Sequence, residues 1–154
     1  MSVYYLDTSA AVKRYVDETG SDWIRNLIDA EPPHLLVSSR LLQIEIISAL
    51  ARRFREKSIT PSEFAESRTA FDEDCKLDYQ LLGITAEIVT LACRLVERHP
   101  LRSYDAIHLA IALNVAQFFL DTGLPPPIFL TADERLIPIA QAEGLATGNP
   151  NHPA

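Results

Sequence analysis

Apolar positions along this chain fall into short continuous runs that alternate with longer stretches spaced as on one face of a helix. Val3–Leu6 reads as a short buried strand, followed by a helix over about 8–15 whose start Asp7, Thr8 or Ser9 can cap. "HLLVS" (34–38) is a second strand candidate, and Ser38 or Ser39 can cap a long helix reaching about Lys57. Thr60-Pro61-Ser62-Glu63 opens the next helix with a capping box and a proline in its first turn. "YQLLGIT" (79–85) reads as a third strand, after which Thr85 caps a helix to about Arg98. Residues 103–119 are apolar on nearly every face, which marks a central buried helix, with Ser103 as its cap. A strand at 128–130 follows a proline-rich loop, Thr131 with Glu134 forms a capping box for a helix to about Glu143, and "GLAT" adds a short last strand.

Strands alternating with helices predict an α/β fold of three layers, with a central parallel sheet of four to five strands covered by helices on both faces. No repeat or long linker interrupts the pattern, so residues 1–148 read as one domain and 149–154 as a loose tail. In such sheets ligands sit beyond the carboxyl ends of the strands, where helix N-termini converge.

Composition narrows the picture only where it excludes. A chain of 154 residues can bury roughly 68–70% of its unfolded surface without a metal or a disulfide to hold it. Hydrophobic residues make up 47% and charged residues 23%, no apolar run reaches the length of a membrane span, and the N-terminus lacks a basic-then-apolar leader. The expectation is a cytoplasmic protein with no membrane partner. Cys75 and Cys93 lack the spacing of a zinc site or a redox pair and read as buried free thiols. A net charge of −7 excludes a surface that grips nucleic acid all over, so any such chemistry must be local.

Four carboxylates stand where carboxylates are unusual. Asp7 and Asp133 follow strands directly, Glu45 lies inside "RLLQIEIISAL", and Asp105 sits in the first turn of the apolar helix. Each has a plainer alternative. Asp7 can be a helix cap, Asp105 and Asp133 can answer a helix dipole, and Glu45 can pair with Arg40 or Arg52 at a helix edge. Together they weigh more, because three fall at one edge of the predicted sheet and the fourth can reach it. Two like charges ~4 Å apart repel by about 4 kcal/mol at an effective dielectric of ~20, so a gathered set needs a cation. Oxygen-only ligation selects a hard ion, Mg2+ or Mn2+, and suits hydrolysis of a phosphodiester. Thr8, Ser9 and Thr131 can support such a site or simply cap helices.

These residues resemble a known family, the PIN domains, and within it the VapC-type toxins of toxin–antitoxin pairs. The likeness lies in "YYLDTSA", "SSRLLQIEIISALAR", "LRSYDAIHLAIA" and "FLTADERLIPIAQAEGL", in that order and across nearly the whole chain. It implies a PIN-like fold and an acidic metal site of Asp7, Glu45, Asp105 and Asp133, supported by Thr131 and Ser9. It also implies a Mg2+- or Mn2+-dependent ribonuclease, a homodimer, and a cognate antitoxin that places a basic side chain in the acidic pocket. Basic residues close in sequence to the site, and so candidates for RNA contact, are Lys13, Arg14, Arg40, Arg102 and Arg135. "RRFREK" (52–57) is denser but lies where a helix C-terminus favours positive charge anyway. His108, one turn after Asp105, reads as a hydrogen-bonded core histidine.

Other readings compete. A haloacid-dehalogenase-type enzyme needs a second acid two residues after the first, where this chain has Ser9. A phosphorylatable receiver module needs adjacent acids near the first strand, which are missing. A catalytically silent domain of the same fold, binding metal and a partner, is the alternative that the residues exclude least well.

Overall fold

The computed structural model describes residues 1–154. Five strands form one parallel sheet: β1 (Val3–Leu6), β2 (Leu35–Ser39), β3 (Tyr79–Leu82), β4 (Ile128–Leu130) and β5 (Ala146–Gly148), in the order β3-β2-β1-β4-β5. The chain moves outward on one side from β1 to β3, then returns to β1's other side at β4. The sheet therefore switches direction between β1 and β4, where Leu6 lies level with Leu130. The carboxyl ends of these two strands open the crevice in which α/β sheets hold ligands.

Alternation along the central strands builds a core on each face. Tyr5, Val37 and Phe129 turn toward α5 (Ala86–Arg98), α6 (Ser103–Asp121) and α7 (Leu136–Ala142). Leu6, Leu36 and Leu130 turn toward α1 (Thr8–Ala11), α2 (Ser21–Ile28), α3 (Leu41–Arg55) and α4 (Pro61–Leu77). Tyr5, Leu6, Phe129 and Leu130 are almost wholly buried, each worth roughly 1.5–3 kcal/mol for an aliphatic or aromatic side chain of this size. Helix α6 is long and apolar enough to cross a bilayer by length and composition, which the reading of the sequence did not anticipate. Its Ala106, His108–Ala112, Val115 and Ala116 are buried in the α5–α7 core.

Local capping explains several boundaries. Asp7 accepts from the Ala10 amide and starts α1, which tightens into a 3-10 turn over Val12–Arg14. Thr60 and Glu63 close a reciprocal capping box with Pro61 at the first helical position, and Thr85 caps α5. Three expected caps are absent: at α3 the cap position is Arg40, with no side-chain cap, and Ser39, the residue before it, only accepts the Leu41 amide. Arg102, not Ser103, precedes α6, and Arg135 precedes α7 in place of a Thr131–Glu134 box. The Thr131 hydroxyl donates to Asp7, and its oxygen accepts the Asp133 amide in the loop ahead of the helix.

The tail is less loose than its composition predicts. Pro150 is buried against Gly20, whose φ of +86° only glycine adopts readily, and a Cβ there would lie 2.6 Å from the Pro150 carbonyl oxygen. The cysteines also depart from expectation, since Cys75 is only partly buried and Cys93 is exposed.

Candidate functional site

The site grows from the ends of β1 and β4. Asp7 is 4% exposed, and its carboxylate is met by hydroxyls and one amide in place of a cation. Oδ1 accepts from Ser9 Oγ at 2.7 Å and from the Ala10 amide at 3.0 Å, and Oδ2 accepts from Thr131 Oγ1 at 2.6 Å. The Ser9 and Thr131 oxygens lie 3.2 Å apart, but each hydroxyl has one proton and gives it to Asp7. Both oxygens also accept backbone amides, Ser9 from Ala132 at 2.9 Å and Thr131 from Asp133 at 3.1 Å. The two strand ends are thereby tied through one buried acid. Burial pushes the Asp7 carboxyl above its ordinary value, and the hydrogen bonds from Thr131, Ser9 and the Ala10 amide pull it part of the way back.

Glu45 arrives from α3, the helix after β2, and is about one-fifth exposed. The partners expected for it, Arg40 and Arg52, are not the ones it has. Its Oε1 accepts from Thr8 Oγ1 at 2.8 Å and from His108 Nε2 at 2.7 Å. Because the Thr8 proton is committed to Glu45, the 3.3 Å contact between Thr8 and Nε2 requires that Nε2 carry the hydrogen. On the other side of the ring, Nδ1 lies within hydrogen-bonding distance of the Tyr5 hydroxyl, at 2.9 Å. His108 is thus the hydrogen-bonded core histidine expected, but its link to Glu45 was missed. The signal lay in its spacing, since residues 105 and 108 share a helix face.

Asp105 and Asp133 face each other across a small recess of about 30 Å³ bordered by Arg102 and Arg135. Asp133 is held by Arg135, whose amide lies 3.0 Å from Oδ1 and whose Nη2 lies 3.3 Å from Oδ2. Partial burial raises the Asp133 carboxyl, and the Arg135 hydrogen bonds and charge outweigh that and leave it below its ordinary value. Asp105 makes no side-chain hydrogen bond; burial first, and then the charge of Asp133, raise its pKa, with Glu45 adding further repulsion.

The donor set fits a hard cation on chemical grounds. It offers carboxylates and hydroxyls, it leaves a buried acid without a counter-charge at Asp7, and it sets Asp105 among like charges with no donor of its own. No three His, Cys, Asp or Glu side chains are gathered closely enough to hold an ion by themselves. Hydroxyls, His108 and Arg135 instead hold Asp7, Glu45 and Asp133 separately.

The basic residues divide sharply. Lys13 is 3% exposed, with its ammonium on Glu18 at 2.8 Å and on the Thr19 carbonyl at 2.6 Å. Arg14 lies 3.1 Å from Asp74 and 2.7 Å from Asp78, on the α4 side. Both are structural, and neither is free for the RNA contact expected from sequence. Proximity in sequence misled because the fold brings Glu18 to Lys13 and Asp74 and Asp78 to Arg14, which take up both charges. Arg40 is exposed at the start of α3, while Arg102 and Arg135 stand beside the acids.

Comparison with known proteins agrees with this architecture. The PIN domain model matches residues 4–140. Ribonuclease VapC49 of Mycobacterium tuberculosis (strain ATCC 25618 / H37Rv) is 37% identical over 144 residues, covering 94% of this chain and 93% of the relative. Ribonuclease VapC46 of the same strain is 30% identical over 151 residues, covering 98% and 100%. Among solved structures, a member of the VapBC family of toxin-antitoxin systems, VapBC-5 from Mycobacterium tuberculosis, matches with a TM-score of 0.50 at 14% identity, over 97% of this chain and 98% of that one. By the match of the family model over residues 4–140 and by relatives aligned over nearly their full length, the chain belongs to the PIN-domain family, among its VapC members.

Proposed function

We propose that this chain is an endoribonuclease that hydrolyses RNA phosphodiesters with Mg2+ or Mn2+, and that it acts as the toxin of a toxin–antitoxin pair. The observation that carries the reading is Asp7. A carboxylate buried at the switch point of a parallel sheet and met only by neutral hydrogen-bond donors favours a cation, because burial penalises its charge and no basic side chain bonds to it. Asp7, Glu45, Asp105 and Asp133 would hold the ion. When bound, such an ion lowers the pKa of its water and neutralises phosphate charge. Ser9 and Thr131 fix the rotamer of Asp7, and His108 and Thr8 fix that of Glu45. Arg102 and Arg135 beside Asp105 and Asp133 supply positive charge to a phosphate at the mouth of the recess.

The names of the relatives support ribonuclease activity, and the name of the solved neighbour supports an antitoxin as partner. A small reading frame directly upstream, encoding a DNA-binding partner with an arginine in its tail, is the expected companion. A homodimer is part of the same proposal, and exposed Phe118, Leu120 and Leu124 at the end of α6 favour a protein contact there.

The test is cleavage of total RNA with Mg2+ or Mn2+ against the same reaction with chelator. Cleavage that the chelator abolishes supports the reading, and intact RNA under every condition contradicts it. Glu45→Gln is expected to lose cleavage while stability stays equal or rises, because a charge is removed from a crowded acidic site. A folded Glu45→Gln protein that cleaves normally would remove Glu45 from the catalytic set.

A further inference from the structure

Two clefts flank the acidic site and share a wall. One, of about 360 Å³, is bordered by Thr8, Glu45, Ser48, Tyr104, Ala49 and Arg52. The other, of about 460 Å³, is bordered by Ser9, Lys13, Glu18, Ala49, Arg52 and Arg53 among others. Thr8 and Ser9 are adjacent in the chain, so both clefts start from the strand-end loop that carries Asp7. Arg52 follows Glu45 by seven residues on α3, close to two turns, so both project from one stripe of the helix about 10 Å apart.

The charges in the second cleft do not cancel. Glu18 is held by Lys13 at 2.8 Å and by Arg53 at 2.7 Å, so one carboxylate meets two cations. Arg52 adds a third cation and has no carboxylate partner in any ion pair of the protein. Lys13, buried at 3% exposure, is held there by Glu18 and the Thr19 carbonyl, which fixes this positive wall rather than leaving it to mobile surface chains. In a chain of net charge −7, a local excess of cations that opens beside an acidic site is placed for an anion.

We infer that the Arg52 cleft is a phosphate-binding subsite, which holds the RNA backbone next to the bond at the Asp7 site through Arg52, with Lys13 and Arg53 as its fixed positive wall. This rests on the nuclease reading for its substrate class. Thr19 and Asn151 at the border of this cleft suit phosphate oxygens, and its lining holds no aromatic side chain, the exposed Tyr104 bordering only the neighbouring cleft, which favours backbone over base contact here. Arg52 has no fold partner to lose, so its removal reports on ligand alone.

The experiment compares wild type, Arg52→Ala and Arg94→Ala, the last removing one exposed positive charge from α5 on the opposite face of the sheet. Cleavage of a short single-stranded RNA is measured with Mn2+ across a range of salt. Arg52→Ala is expected to raise KM about fivefold with little change in kcat, with an unchanged thermal midpoint. Its salt slope should fall by about 0.7, the value of one phosphate contact on a single strand. Arg94→Ala should behave as wild type. Equal KM and equal slope for Arg52→Ala and wild type would overturn the subsite while leaving the nuclease standing. Binding of the same RNA to Asp7→Asn with and without Arg52→Ala decides the matter separately if no cleavage is found. An oligoglutamate peptide that binds as tightly as the RNA, and loses as much with Arg52→Ala, would overturn it too, in favour of a carboxylate-bearing partner.

Discussion

Asp105 is the residue that shows the electrostatic character of the site most plainly. Its carboxyl is raised by burial and by Asp133, as that of Asp7 is by burial, so both bind protons more tightly folded than unfolded. The stability they contribute is fully present below the ordinary carboxylate pKa and is lost as pH rises through the raised values. Asp133, lowered by Arg135, acts in the opposite sense and loses its contribution as pH falls. Metal-free Asp105→Asn is therefore expected to be more stable than wild type at neutral pH, with the difference closing toward about pH 4; urea melts across that range check it. His108 works at the same scale. His108→Phe takes a donor from Glu45 and should weaken Mn2+ binding about tenfold by calorimetry, while His108→Gln, which keeps a donor, should lie nearer wild type.

At the scale of elements, the chain reads well where partners are local and poorly where they are distant. Thr60 and Thr85 cap their helices as sequence predicts, because each cap needs only an amide three residues on. Thr131 fails the same prediction because its oxygen accepts the Asp133 amide in the loop, its proton ties it to Asp7, 124 residues away, and the helix begins only at Leu136. Thr131→Val, close in shape but without the hydroxyl, is expected to cost about 1–3 kcal/mol by urea denaturation, since Asp7 Oδ2 then stays buried without its donor. Gly20 reflects a similar long-range demand. Gly20→Ala should destabilise by about 1–3 kcal/mol, because the left-handed backbone resists a Cβ and Pro150 fills its place.

For the whole molecule, alternating strand and helix patterns were enough to predict a parallel sheet with acids at its carboxyl edge, since both follow from periodicity and chain order. Strand order, the His108 link to Glu45 and the diversion of Lys13 and Arg14 into the scaffold were not legible, because each depends on which elements pack together. Arg14 illustrates the difference: only the fold brings Asp74 and Asp78 of the α4–β3 region to it. The arrangement as a whole is a scaffold with two cores that holds separate acids around a crevice, with each acid except Asp105 restrained by a donor of its own. The most direct test is titration of the metal-free protein with Mn2+, followed by calorimetry, for wild type and for Asp105→Asn. Saturable binding that raises the thermal midpoint, weakened at least about tenfold by Asp105→Asn, is the predicted result. No binding by the folded wild type, or binding indifferent to Asp105, would contradict the shared cation on which the account depends.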